Sequence, residues 1–448
     1  MGAERAHAPL KTASLPRPVS PGSLASASLL AVTRHQQLTA HRPLYRQAHE
    51  GARLGIPLSR QPLANGVIYG TQTGLKPVYE VLKQTLVAQA IIQADETTLT
   101  VIHEPGRQAT QKSYMWLYRS GREGLPIVLD EYQPGRHGAY ARRFLTGFQG
   151  YLQCDGYAGY REVPGATLVG CWAHARRHFV EALQTLPAAA RDGPSAIREG
   201  LEFCNTIFRI ERELRDLTPA ERQAARQTRS RPALAQCARW LRAQKRQPWP
   251  QSPLGKAVTS CLNQGNPLTR FLEDGRLDAD HNRSDRAINP FVTGRKHGLF
   301  ANTPRGAPAS AIALSFIQTA TEKGWEPRSY LPYLFEPLPQ RDLADPARWA
   351  DGLPWSPPLP APVKAPGRAS PTADSTEAAP SQNTRAPRCR GGEDFTLTQR
   401  LLGSARRRNF FAPDPTAHLS RKHRPSPVSS APRSMTYRHC LSFFLPCS

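Results

Sequence analysis

The chain reads as an α/β protein, with a mixed sheet interrupted by a long helical insertion and followed by a disordered C-terminal tail. Three observations predict this. Short runs rich in Val, Ile, Leu, Tyr and Trp crowd residues 91–130 and are punctuated by Gly106, Gly121 and Gly124, the composition and spacing of strands. After Cys171 apolar residues recur at three and four, the period of a helix, and do so to about residue 272. Beyond Arg341 Pro, Arg and Ser increase and the period fades, leaving too little apolar surface to offset the entropy of ordering the chain.

Taken in order, residues 1–26 are rich in Ala, Pro and Ser and are expected to be a disordered leader. Residues 27–89 are expected to be a helical DNA-binding or packing region. It holds a segment from Leu44 to Leu54, a second capped by Ser59 that carries Leu63, Val67 and Ile68, and the clearest helix, through Leu75, Val78, Tyr79, Leu82 and Leu86. Residues 90–174 form the first part of the core. Strands are expected at Ile91–Ala94, Leu99–His103, Ser113–Tyr118 and Ile127–Asp130, as an antiparallel meander, then a helix at Ala139–Phe148 and strands at Tyr151–Cys154 and Ala166–Cys171. The insertion, residues 175–272, continues the face of Trp172, Ala175, Phe179, Ala182 and Leu186 with helices at Ala196–Leu214, Pro219–Thr228, Ala233–Ala243 and 255–272. Residues 273–340 return to the core with a helix starting near Ser284, a packing helix at Ala307–Thr319 and an apolar finish at Tyr330–Leu338. Residues 341–448, including the cluster Arg406, Arg407 and Arg408, are expected to be mobile.

Composition narrows the function. The 448 residues give room for two or three domains. Mean hydropathy is −0.51, and no run approaches the roughly 20 apolar residues that span a bilayer, so no membrane segment is expected. Lys and Arg number 59 against 35 Asp and Glu, a net charge of +24, which favours a polyanionic partner, nucleic acid ahead of acidic lipid. Eight cysteines form no close C-x2-C pair, which indicates neither a zinc ribbon nor a disulfide scaffold and suits a reducing compartment. There is no G-x-S-x-G elbow and no G-x-x-x-x-G-K-S/T phosphate loop, which disfavours a serine hydrolase and an ATP-driven remodeller.

Three acids are the candidate site. Asp95 ends the run IIQAD, Asp155 follows another apolar run in LQCDGYAGY, and Asp285 lies in DHNRSDR. Separated carboxylates of this kind can bind divalent metal and turn water or a sugar hydroxyl into a nucleophile against a phosphodiester. The alternative is that Asp95 and Asp155 merely end strands at the surface. Asp285 falls in the first turn of its helix, where unpaired N–H groups favour a carboxylate, with Arg295 and Lys296 placed to hold phosphates; a structural pair with Arg286 is the other reading. Arg176 and Arg177 lie largely off the apolar face of their helix, either along a DNA backbone or simply solvated. In CWAHARRHF, Cys171, His174 and His178 form a possible metal set without an evident fourth ligand.

Over roughly residues 27–340 the chain resembles the IS66 insertion-sequence family of transposases. The resemblance is carried by PLYRQAHEGARLGIPLSR at 43–60, QADETTL at 93–99, YLQCDGYAGY at 151–160, GCWAHARRHFVEAL at 170–183 and DHNRSDRAINPFVTGRKHGLF at 280–300. It implies an RNase H-like core with a helical insertion and a catalytic triad of acids. Asp95 and Asp155 match the first two, and Asp285 stands where the family has Glu. Mg2+ or Mn2+ is the implied cofactor, held by Asp95, Asp155 and Asp285, with Arg176, Arg177, Arg286, Arg295 and Lys296 as the DNA-binding candidates. The implied partners are insertion-element ends and target DNA, with a homo-oligomer and element-encoded accessory proteins, in a bacterial cytoplasm close to the nucleoid. The chain departs from the family at His281-Asn282 for paired Asn, Asn289-Pro290 for Arg-Pro, His297-Gly298 for Asn-Trp, and in lacking the preceding coiled-coil and Cys-rich region. Two readings follow: a working transposase, or an N-terminally truncated, catalytically inactive DNA-binding remnant.

Overall fold

The computed structural model describes residues 18–363 apart from 21, 22, 24, 57, 58, 247–249, 297–300, 338–345, 358, 361 and 362. The expectations for the tail beyond residue 363, most of the leader and the His297-Gly298 departure lie outside the described residues. The expectation of a mobile segment from residue 341 is corrected for its first part: Trp349, Leu353, Leu359 and Val363 are buried in the main core, and the carbonyl of Gly352 accepts from the Tyr330 hydroxyl, so this stretch does have apolar surface to bury. Helices α1 (Ala27–Leu38), α2 (Leu44–Arg53), α3 (Arg60–Tyr69) and α4 (Lys76–Val87) precede strands β1 (Ile91–Thr100), β2 (Lys112–Ser120) and β3 (Val128–Gln133). Helix α5 (Gly138–Phe144) leads to β4 (Gly150–Gln153) and β5 (Ala166–Val169). Next come α6 (Trp172–Gln184), α7 (Ala196–Glu213), α8 (Pro219–Thr228), α9 (Ser230–Lys245), α10 (Pro253–Asn263) and α11 (Gly265–Thr269). Helices α12 (Asn282–Lys296), α13 (Gly306–Glu322) and α14 (Pro327–Phe335) follow.

The five strands form one mixed sheet in the order β3-β2-β1-β4-β5. Strands β1, β2 and β3 make the expected antiparallel meander, whereas β4 and β5 run parallel to β1. One expectation is corrected. Ile91–Ala94 and Leu99–His103 are not two strands, because Asp95 to Thr98 pairs without interruption against Leu117 to Tyr114, and β1 runs on to Thr100. The polar stretch looked like a break, but the ladder of β2 satisfies its backbone and its side chains serve the two faces alternately.

That alternation positions the site. Ile92 and Ala94 point into an apolar core shared with Trp116, Tyr118, Leu152, Leu30, Leu82, Phe316 and Tyr330, so α1, α4, α13 and α14 pack with the sheet. Gln93 takes the other face, where its amide donates to Gln153 and accepts from the hydroxyl of Ser284 on α12. Helix α12 is pinned there from several sides. Buried Arg119 of β2 donates to the carbonyl of Arg283 and to Glu322 of α13, Gln318 donates to the carbonyl of Ala287, and Arg295 donates to Thr97 and Thr98.

The insertion has a core of its own, built from Phe179, Cys204, Ile207, Leu234, Cys237, Leu241, Val258 and Cys261 and reaching Ile91 and Val169 of the sheet. Its polar anchor is Arg226, 1% exposed, which makes a two-pronged pair with Glu211 and donates to the carbonyls of Phe271, Asp274 and Leu277. Helix α8 starts with a reciprocal cap between Thr218 and Glu221. All cysteines among the described residues are free and buried.

Candidate active site

Asp95 and Asp155 sit on neighbouring parallel strands. Gln93 is in register with Gln153, so each acid lies two residues beyond the last paired position, on the face that α12 covers. The connection after β4 holds Asp155 by a tight turn in which its Oδ1 accepts the N–H of Tyr157 at 2.8 Å. Gly156 makes the turn possible. Its φ is +96°, and a Cβ there would lie 2.4 Å from the Gln264 side chain.

The third acid arrives from α12. The backbone N–H groups of Ser284 and Asp285 bond to the carbonyl of His281, closing the first turn. The carboxylates of Asp95 and Asp285 and a ring nitrogen of His281 all lie within 4.8 Å of one another. Burial pushes the Asp95 carboxyl well above the usual carboxylate range, with further contributions from the negative charges of Asp285, Glu96 and Asp155. Asp95 and Asp285 are costly together at this separation unless a proton or cation sits between them, whereas Asp155 is not among the groups within 4.8 Å.

Two residues that the sequence did not single out lie beside these acids at the sheet edge. Glu96, whose side chain is 1% exposed, accepts from Tyr160 at 2.5 Å and from Arg136 at 2.6 Å. Arg136 also lies 3.8 Å from Asp155 and stacks over the Tyr157 ring at 4.1 Å. The signal for Glu96 was its place beside Asp95 in QADETTL, pointing to the opposite face; nothing in the sequence around Arg136 marks it.

The expected phosphate-binding residues divide. Arg176 donates to Asn205, and Arg286 and Arg176 both line an open cleft of about 880 Å³ with Arg209, Arg212 and Arg283. Exposed Arg177 meets Nε2 of His174 at 3.3 Å. Arg295 is engaged with Thr97 and Thr98, and Lys296 is exposed at the end of α12. His178 does not join Cys171 and His174; it is exposed and lies 3.8 Å from Glu181 on the next turn. His281 takes its place: the Cys171 sulfur and one ring nitrogen each of His174 and His281 lie within 4.8 Å of one another.

The family described as "Transposase IS66 family" matches residues 22–309. Three proteins of Sinorhizobium fredii (strain NBRC 101917 / NGR234) are similar. Uncharacterized protein y4jD is 31% identical over 331 residues, 70% of this chain and 63% of its own length. Uncharacterized protein y4hP is 28% identical over 332 residues, 70% of this chain and 59% of its length. Uncharacterized protein y4qI is 31% identical over 306 residues, 64% of this chain and 55% of its length. The chain therefore spans less than two thirds of the length of each of these curated relatives. It belongs to the IS66 transposase family. Among the described residues no helix is long and apolar enough to cross a membrane.

Proposed function

We propose that the chain is a transposase that cuts and joins DNA through an RNase H-like core, with Asp95, Asp155 and Asp285 as its catalytic, metal-holding triad. The observation that carries this is the approach of Asp285 to within 4.8 Å of Asp95 across 190 residues of chain. Strand order β3-β2-β1-β4-β5, with three antiparallel and then two parallel partners, supports the RNase H-like reading.

Carboxylate oxygens are the donors that Mg2+ and Mn2+ prefer, and the raised proton affinity of Asp95 marks a place where a cation would relieve repulsion. When bound, such an ion lowers the pKa of water or a 3′ hydroxyl and neutralises charge at phosphorus. The chain's own residues do the rest. Asp95, Asp155 and Asp285 hold the cation, while Arg136 steadies Asp155 and neutralises Glu96. The arginine-lined cleft gives the DNA backbone a place to lie close to α12.

The test is cleavage of DNA spanning both ends of the element that encodes the chain, with Mg2+ or Mn2+. Asp95→Ala and Asp155→Ala should each abolish cleavage and strand transfer while leaving DNA binding and the circular dichroism spectrum intact; activity that survives both substitutions refutes the triad. Asp285 is one methylene shorter than the Glu of the family, and a displacement of about 1 Å at a reacting centre costs about 100-fold. Asp285→Glu should therefore raise the rate. DNA binding with no cleavage in either background would favour the inactive-remnant reading.

A further inference from the structure

Beside the three carboxylates lies a second donor set of different chemistry. Cys171 caps the N-terminus of α6, and His174 sits one turn into the same helix, so their side chains converge. His281 comes from the segment entering α12, and its ring lies 4.9 Å from that of His174, centroid to centroid, at an interplanar angle of 37°. His281 is fully buried, and neither of its ring nitrogens has a hydrogen-bond partner among the described residues. Nδ1 of His174 is likewise buried without a partner, and its Nε2 meets only the guanidinium of exposed Arg177. A buried imidazole with both nitrogens unpartnered forfeits a donor and an acceptor at once, a cost that native structures rarely carry without a reason.

We propose that Cys171, His174 and His281 bind a single transition-metal ion, with zinc the best fit, at a site separate from the carboxylate triad. One thiolate and two neutral imidazoles are a borderline-soft set that suits zinc better than magnesium, and three protein ligands leave a fourth position open. With bond lengths of about 2.3 Å to sulfur and about 2.0–2.1 Å to nitrogen, tetrahedral donors stand roughly 3.3–3.6 Å apart. The observed limit of 4.8 Å closes to that by side-chain rotations of about 1 Å.

The surroundings suit a cation on balance. Asp285 and Asp155 act on both imidazoles and Asp280 on the sulfur, against Arg177, with His178 also opposing on His174 and His174 on His281. Burial holds the His281 imidazolium down to about 4, so the ring is the neutral ligand a metal requires. Burial also pushes the Cys171 thiol up to about 12, while backbone N–H groups of His174, His281 and Ala173 pull the other way; a coordinated metal completes the shift by displacing the thiol proton. Structurally, the ion would tie α6, the start of the insertion, to the segment that delivers Asp285.

The experiment uses the full chain, stripped with a chelator and titrated with Co2+ and then Zn2+. The expected result is one equivalent of Co2+ with a thiolate-to-cobalt charge-transfer band, displaced by one equivalent of Zn2+. Cys171→Ser should abolish the band, and His281→Asn should weaken zinc binding by at least about 100-fold, with far-ultraviolet circular dichroism showing both variants folded. Asp95→Asn should leave stoichiometry and band unchanged. Binding without a thiolate band, or binding lost with Asp95→Asn and retained with Cys171→Ser, places the ion on Asp95, His281 and Asp285 and overturns the proposal, as does failure to retain Zn2+. None of these readouts depends on strand transfer.

Discussion

Replacing Arg226 with Met keeps most of the side-chain volume and removes a charge that is 1% exposed. Five hydrogen bonds disappear: two to Glu211, at 3.0 and 2.6 Å, and three to the carbonyls of Phe271, Asp274 and Leu277, at 2.8, 3.1 and 2.8 Å. At about 1.5–3 kcal/mol for each bond to a charged group the sum would rival the whole stability of a domain, about 5–15 kcal/mol, so the bonds cannot be additive. The measured cost of removing one partner of a buried pair, about 3–5 kcal/mol, is the appropriate figure. Urea unfolding followed by the fluorescence of Trp172 and Trp240, which pack in the insertion core, should show a midpoint lowered by more than 1 M for a slope of about 1–3 kcal/mol per M. Adding Glu211→Leu should recover at least about 1 kcal/mol, because the orphaned carboxylate is then gone. A change below about 0.5 kcal/mol for Arg226→Met would refute the view that this residue holds the insertion together.

Other outcomes follow from the same geometry. Gly156→Ala should cost about 1–2 kcal/mol through its left-handed backbone alone, and should lower cleavage about 100-fold if Asp155 moves by about 1 Å; a folded, fully active variant would show that this turn does not set the acid. Asp130 is fully buried, and burial pushes its carboxyl well above the usual range. The folded state therefore keeps a proton that the unfolded state gives up, and stability falls as pH rises from the unfolded value through the folded one. Asp130→Asn should be more stable than the parent at neutral pH, with the gain vanishing below about pH 4; an equal gain at both pH values contradicts the assignment. Because burial and then the charge of Asp285 raise Asp95, Mg2+ must compete with a proton there, so calorimetric affinity should climb with pH above the ordinary carboxylate range. A flat profile from about pH 5 to 8 would count against Asp95 as a ligand.

Much of the sheet was legible because Ile, Val, Tyr and Trp mark strands wherever they alternate with turn residues. What misled was Asp95 to Thr98, four polar residues inside β1 whose side chains serve a site and a helix rather than water. The partnership of β1 with β4 left no local trace, since parallel pairing is decided by where α5 lets the chain return. The acids could be named from their settings and family resemblance, but the burial of His281 could not. It stands in the polar run DHNRSDR, where a solvated helix start is the natural expectation, and only the packing of α6 against that segment encloses it. Arg226 was hidden for the same reason, as one more arginine in a chain rich in them.

The insertion between β5 and α12 also has a consequence in time. A chain made from its N-terminus at about 5–20 residues per second exposes Asp95 and Asp155 first, and the ribosome then needs roughly 6–26 s to deliver Asp285, which stands 130 residues after Asp155. Until the helical segment has been made and has collapsed around Arg226, the nascent sheet lacks its last carboxylate. On the proposed triad, the chain can cut no DNA until Asp285 has been made, and a message broken anywhere before the codon for Asp285 yields a product without that activity.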